Sequence, residues 1–205
     1  MDRAETRAKL IAAGVSAELL PEDGKWNLGE SEYDVKLTGK DLEGADFSDA
    51  DLGGVIFTRA NLRHANFRGA NVTEAEFNHA YLAGAIFEDA NCSRAEFDEA
   101  RLGGATFRRA QCEDAVFTKA SLGAVKFVDA DLTSATFHGA DLLDTDFTRA
   151  NLERANLSDV RMVTGHQLSL AKGIEKAFFS DFSLAVLACT LQKWRAQQRK
   201  SRKQK

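Results

Sequence analysis

The stretch ANLRHANFRGANVTEAEFNH, residues 60–79, decides the fold. Alanine recurs at 60, 65, 70 and 75, and two places after each stands a large apolar residue: Leu62, Phe67, Val72 and Phe77. The same spacing runs outward in both directions. From Leu37 to Met162 every fifth residue is Leu, Phe, Val, Cys or Met, giving 26 central positions. Between residues 45 and 155 the place two before each is alanine, except at Val55, Val125 and Thr145. Val160 breaks the alanine row at its end. Helical faces recur every 3.6 residues and strand faces every 2.0, so neither regular element explains the pattern. Two inward positions at spacing two describe a very short strand, and the remaining residues must turn a corner. One such unit cannot fold alone; it must stack on copies of itself. Four units return the chain above its start, and the coils then stack like parallel strands at about 4.8 Å.

Phenylalanine holds the central position at 47, 57, 67 and every tenth residue to 147, eleven times. If residues 20 apart stack, Phe47, Phe67, Phe87, Phe107, Phe127 and Phe147 form one interior row. Phe57, Phe77, Phe97, Phe117 and Phe137 form the row opposite. Smaller residues fill the alternate walls, and alanine fits where nothing larger can.

Units such as Ala-Asn-Leu-Arg-His (60–64), Ala-Asn-Phe-Arg-Gly (65–69) and Ala-Asp-Leu-Thr-Ser (130–134) resemble the A(D/N)LXX motif of pentapeptide repeat proteins. The resemblance implies an all-β solenoid, the family's right-handed quadrilateral parallel β-helix, here of about six coils. Some family members inhibit or protect DNA gyrase, and some dimerise through C-terminal helices.

Four regions are expected: an N-terminal helical cap over 1–34, the β-helix over 35–164, a C-terminal helical cap or dimerisation segment over 165–197, and a basic tail over 198–205. A stack leaves open ladders at both ends, so caps are needed. Leu10, Ile11, Val15, Leu19 and Leu20, with Trp26, suit the first end. At the second, a helix is expected from about Ile174 to Gln197. Leu184, Leu187, Leu191 and Trp194 fall at heptad spacing on it, with Phe178 and Phe182 on an adjoining stripe. That face suits a cap, a homodimer contact, or both.

Composition narrows the function classes. The single proline, Pro21, lies outside the repeat, as uninterrupted ladders require. No signal peptide is evident and no apolar run reaches the roughly 18–20 residues of a membrane span. Three cysteines without a disulfide pattern suit a reducing, cytoplasmic compartment. The net charge of −4 is uneven. Residues 41–160 carry 11 bases and 21 acids, for −10, whereas residues 161–205 carry 10 bases and 2 acids, for +8.

Candidate chemistry is sparse. Cys92 and Cys112, 20 residues apart, read as a redox or soft-metal pair, or as two small apolar residues filling one wall. No further ligand points inward with them, so no metal or cofactor is expected. No Ser/His/acid or Cys/His arrangement and no Gly-rich phosphate loop follows, so no enzyme is expected. Glu88, Asp89, Glu96, Asp98, Glu99, Glu113 and Asp114 form a middle acidic belt. It reads as a DNA-like surface competing for a type II topoisomerase, or as plain solvation interrupted by Arg94, Arg101, Arg108 and Arg109. Tyr81, Gly84, Gly103, Gly104 and Gly123 mark a flat wall, either a docking face for an unknown protein partner or a run of permissive turn residues. The β-helix itself is not expected to bind nucleic acid. From Lys193 onward the chain has seven bases and no acids. That tail reads as solvated, or as a salt-sensitive contact to nucleic acid or anionic membrane.

Overall fold

The computed structural model describes residues 1–22, 26–29, 35–180 and 189–193. Its body is a stack of coils in which residue i pairs in parallel with residue i+20, from Lys36 with Ile56 to Asp141 with Arg161. Each coil has four walls. Wall 1 carries Lys36, Ile56, Glu76, Glu96, Val116, Thr136 and Asn156 at its pairing positions. Wall 2 carries Asp41, Asn61, Tyr81, Arg101, Ser121, Asp141 and Arg161. Wall 3 runs from Asp46 to Asp146, and wall 4 from Asp51 to Asn151.

The backbone bonding of one unit explains the motif. Tyr81 N–H donates to Ala60 O below it, and Leu82 and Gly84 N–H donate to Arg101 O and Gly103 O above. Ala85 N–H then closes the corner by donating to Leu82 O. The fifth N–H, on the residue after the central one, is left over. Where the pairing residue is Asp or Asn, its side-chain oxygen accepts that N–H: Asn71 from Thr73 at 3.2 Å, Asp131 from Thr133 at 3.1 Å, Asp146 from Thr148 at 2.9 Å. The second letter of the motif is thus an Asx turn in every unit that keeps it. The corner itself needs a left-handed residue. From Gly39 to Asp159 every fifth residue has φ between 54° and 71°.

Inside, the two phenylalanine rows lie on walls 1 and 3. Rings 20 residues apart are stacked, as Phe67 on Phe87 at 4.7 Å, and rings ten apart meet edge to face, as Phe77 on Phe87 at 5.7 Å and 89°. Both arrangements suit the ring quadrupole. All eleven phenylalanines are buried.

Both ends replace the missing coil with side chains. Helix α1, Arg3–Ala12, begins with an Asp2–Glu5 capping box. Its Thr6 hydroxyl accepts Asp46 N–H at 2.9 Å, the donor that elsewhere finds a carbonyl of the coil below. The Arg3 guanidinium donates to Ser48 O and lies 5.1 Å over the Trp26 ring. Trp26 in turn meets Phe47 edge-on at 6.3 Å.

At the other end the reading of Met162 as a central residue is corrected: Met162 has φ 56° and is 63% exposed. The repeat yields there to helix α2, Gly165–Leu168, nucleated by a Thr164–Gln167 capping box. Gln167 Nε2 donates to Leu142 O and Thr145 O, both at 3.1 Å. Leu168, Ala171 and Ile174 extend the core. The coil then resumes out of step. Lys172 pairs with Asn151 and Phe178 with Asn156, at offsets of 21 and 22 rather than 20. The expected helix therefore does not start near Ile174. Gly173 makes a left-handed corner at φ 67°, Ile174–Lys176 is a single 3-10 turn, and Ala177 is extended. Of the described residues beyond it, 189–193 are helical.

Because the alanine sites admit no side-chain growth, Ala95→Leu is expected to overpack the coil and lower stability by about 1–3 kcal/mol. Denaturant unfolding checks this, and a variant as stable as the parent chain would contradict the packing.

Candidate interaction surface

With the interior closed, distinctive chemistry lies on the outer walls. Wall 2 gathers all five residues of the flat face: Tyr81, Gly84, Gly103, Gly104 and Gly123. Its relief is low because Ala83, Gly103 and Gly123 follow one another up one column, and Gly84, Gly104 and Ala124 up the next. Gly84 is not free to grow, since a Cβ there would lie 2.6 Å from His64 Nδ1.

The sequence reading missed what flanks Tyr81. Arg63 lies 4.9 Å and Arg101 5.0 Å from the ring centroid, a double cation–π arrangement. Arg63 Nη1 also donates to Asn61 Oδ1 at 3.2 Å. Among the described residues neither arginine has an acidic partner. Offsets of 18 and 20 from Tyr81 are the signal that finds both. Higher on the same wall Leu143 is 48% exposed.

The family model described as pentapeptide repeats matches residues 34–63 and 41–78, in eight copies, and that of a pentapeptide repeat region matches 67–147. The chain is a pentapeptide repeat protein. Among solved structures it is similar to HetL, a protein involved in heterocyst differentiation regulation from Nostoc sp. Strain PCC 7120. Identity is 26% and the TM-score 0.48, over 67% of this chain and 65% of that one. Rfr23 from Cyanothece 51142 shows 21% identity over 54% of this chain and 87% of that one, with a TM-score of 0.48. Full-length QnrB1, a plasmid-mediated fluoroquinolone resistance protein, shows 17% identity over 77% and 97%, with a TM-score of 0.30. The pentapeptide repeat chain thus spans about 65% of the length of the HetL structure. No curated protein matches it.

The acidic belt of this pentapeptide repeat protein is divided among three walls. Glu88 and Asp89 lie on wall 3, Glu96, Asp98 and Glu99 on wall 1, and Glu113 and Asp114 on wall 4. Much of it is paired. Arg109 grips Asp89 through two bonds of 2.7 Å, and Arg68 reaches Glu88 at 2.5 Å. Glu99 faces His79 at 3.4 Å and Lys119 at 3.9 Å. The hydrogen bond from Arg109 holds the Asp89 carboxyl below its usual range.

Asp98 differs from the rest of the belt in its burial. Its Oδ1 is buried without a hydrogen-bond partner. Burial raises its carboxyl above the usual range, the Thr118 hydroxyl opposes this, and the charges of Glu96 and Glu99 add to it.

Cys92 and Cys112 are both buried, as wall-filling residues. Burial, then hydrogen bonding and charge from Cys112, push the Cys92 thiol up. A buried, protonated thiol is neither a nucleophile nor a ligand. Among the described residues no group of His, Cys, Asp and Glu could hold a metal ion. No described helix is long and apolar enough to cross a membrane.

Of the residues assigned to a C-terminal dimer face, Phe178 is corrected: it sits in the parallel pairing with Asn156, 63% exposed, not on a helix. Leu191 lies in the helical segment 189–193 and is half-buried. Phe182, Leu184, Leu187 and Trp194 lie outside the described residues, as does the basic tail from residue 194.

Asp98→Asn is expected to raise the melting temperature at neutral pH. A carboxyl raised by folding contributes stability below its unfolded pKa and loses it as pH rises through the folded one. The gain should shrink toward zero as pH falls below the carboxylate range. A melting difference independent of pH would overturn this account.

Proposed function

We propose that this protein is a non-enzymatic scaffold, a rigid β-helical rod that offers a wall to a protein partner. One observation carries the reading: among the described residues every inward position of the coils is filled by a small or apolar side chain, save Thr145, whose hydroxyl is taken up by Leu122 O, so only the outside can discriminate. Wall 2 is the wall best suited to contact, because its centre combines low relief with an aromatic residue and two arginines that lack acidic partners. Tyr and Arg are the side chains that most often dominate binding energy at interfaces. The dispersed and paired acids weigh against mimicry of the closely spaced charges of DNA. A cytoplasmic setting and a homodimer built on the chain beyond Ser180 complete the proposal. The basic tail belongs to the same segment, as a solvated stretch or as a salt-sensitive contact to nucleic acid or anionic membrane.

Two measurements test it. The full chain, used as bait in native lysate at moderate salt, is expected to retain a defined protein partner, and retention of none would overturn the scaffold. Micromolar protein is expected to leave DNA gyrase supercoiling unchanged. Inhibition or protection would replace this reading with topoisomerase mimicry.

A further inference from the structure

The repeat supplies its own standard for what wall 2 lacks. At the lower coils of that wall Asp41 and Asn61 accept the N–H of Glu43 and Arg63, each at 3.4 Å, and at the top Asp141 accepts that of Leu143 at 3.1 Å. In the three coils between, the pairing residues are Tyr81, Arg101 and Ser121, and none of these side chains accepts the corresponding N–H. The N–H groups of Ala83, Gly103 and Gly123 consequently donate to no protein group among the described residues. They stand above one another at about the strand spacing of 4.8 Å. With no side chain larger than a methyl on those residues, this column is open from outside. Unpaired donors also occur on walls 1, 3 and 4, but wall 2 alone pairs them with so bare a surface.

The charge agrees with the donors. Arg63 and Arg101 border the column and are braced on either side of Tyr81, 4.9 and 5.0 Å from its ring centroid. In a body of net charge −10 over residues 41–160 they form a positive centre. A carboxylate placed over Gly103 would take the position of the missing Asx oxygen on the wall that carries both guanidiniums. Above it the exposed Leu143 side chain offers an apolar contact about three coils, or roughly 14 Å, from Tyr81. An extended segment covers that distance in about four residues.

We propose that the middle of wall 2 docks an acidic, extended segment of a partner protein, whose carboxylates replace the side-chain oxygens that the repeat omits at positions 81, 101 and 121. The inference rests on the scaffold reading and names the chemistry of its partner. The chain's own tail beyond Lys193 is basic and does not fit the requirement.

The test uses the protein itself to restore what is missing. The double variant R101N/S121N puts Asx side chains back at two coils. It is expected to fold with a melting temperature no lower than the parent chain, since Asn satisfies the turn N–H. The control Q111N makes the same repair on wall 4, at the N–H of Glu113. The probe is a phage-displayed library of random twelve-residue peptides, selected on the full-length parent chain. Enriched peptides are expected to be rich in Asp and Glu with an apolar residue within about four places of the acids. By fluorescence anisotropy their affinity should fall at least tenfold for R101N/S121N and for R63E, and stay within threefold for Q111N. No enrichment, enrichment of neutral or basic peptides, or equal binding by R101N/S121N would each overturn the proposal. So would self-association of the parent chain that R101N/S121N abolishes, because the occupant would then be a second copy. If a lysate partner were retained equally by both chains, the wall assignment would fail and the scaffold would stand. If the parent chain retained none, the scaffold itself would fail.

Discussion

Twenty residues per coil enclose a space about two phenyl rings wide, and that confinement governs the rest of the molecule. Rings from walls 1 and 3 fill it edge to face, and each stacks on the ring one coil away. A third large side chain per coil has no room, so walls 2 and 4 carry Leu, Val or Cys at the centre and alanine recurs near the corners. The backbone must then leave the core every fifth residue, which imposes the left-handed corner. The polar letter of the motif follows from the same geometry, because the corner strands one N–H that an Asx oxygen can reach.

The ends obey the same accounting in different chemistry. A Thr hydroxyl below and a Gln amide above stand in for the coil that is not there. These substitutions also make the ends more irregular than the body. At the upper end the pairing offset grows by one and then two residues, so that Phe178 continues wall 1 although no repeat letter announces it.

The body was legible because period, residue size and stacking coincide at every unit. Leu62, Phe67 and Phe77 predict their own burial, and the two phenylalanine rows follow from a spacing of ten. The upper end was not legible, since the stretch from Ile174 reads locally as the start of a helix, whereas Lys172 and Phe178 are held in coil form by pairing with residues 150–157. Met162 misled because it keeps the period but lies where the coil ends. On the surface, the glycines of wall 2 were visible from spacing alone. The arginines flanking Tyr81 required knowing that residues 18 and 20 apart become neighbours. Ion pairing across coils, such as Arg68 with Glu88 and Arg109 with Asp89, ties up individual acids that a linear charge count shows as free.

The left-handed corners bear on how the molecule persists in time. From Asp49 to Asp159, eighteen of them are occupied by residues other than glycine. Each such residue prefers another conformation by about 1–2 kcal/mol when nothing holds it. A lone coil therefore has no reason to exist, and one coil at an end gains only the bonds of a single neighbour. The smallest self-sustaining nucleus spans several coils whose pairing partners all lie 20 residues away. Such a nucleus forms slowly, because loop closures precede their reward. Once formed, an interior coil opens only by breaking two interfaces at once, which confines the loss of structure to the ends that the caps hold. The rod is thus built for long residence in the folded state as much as for its depth in free energy.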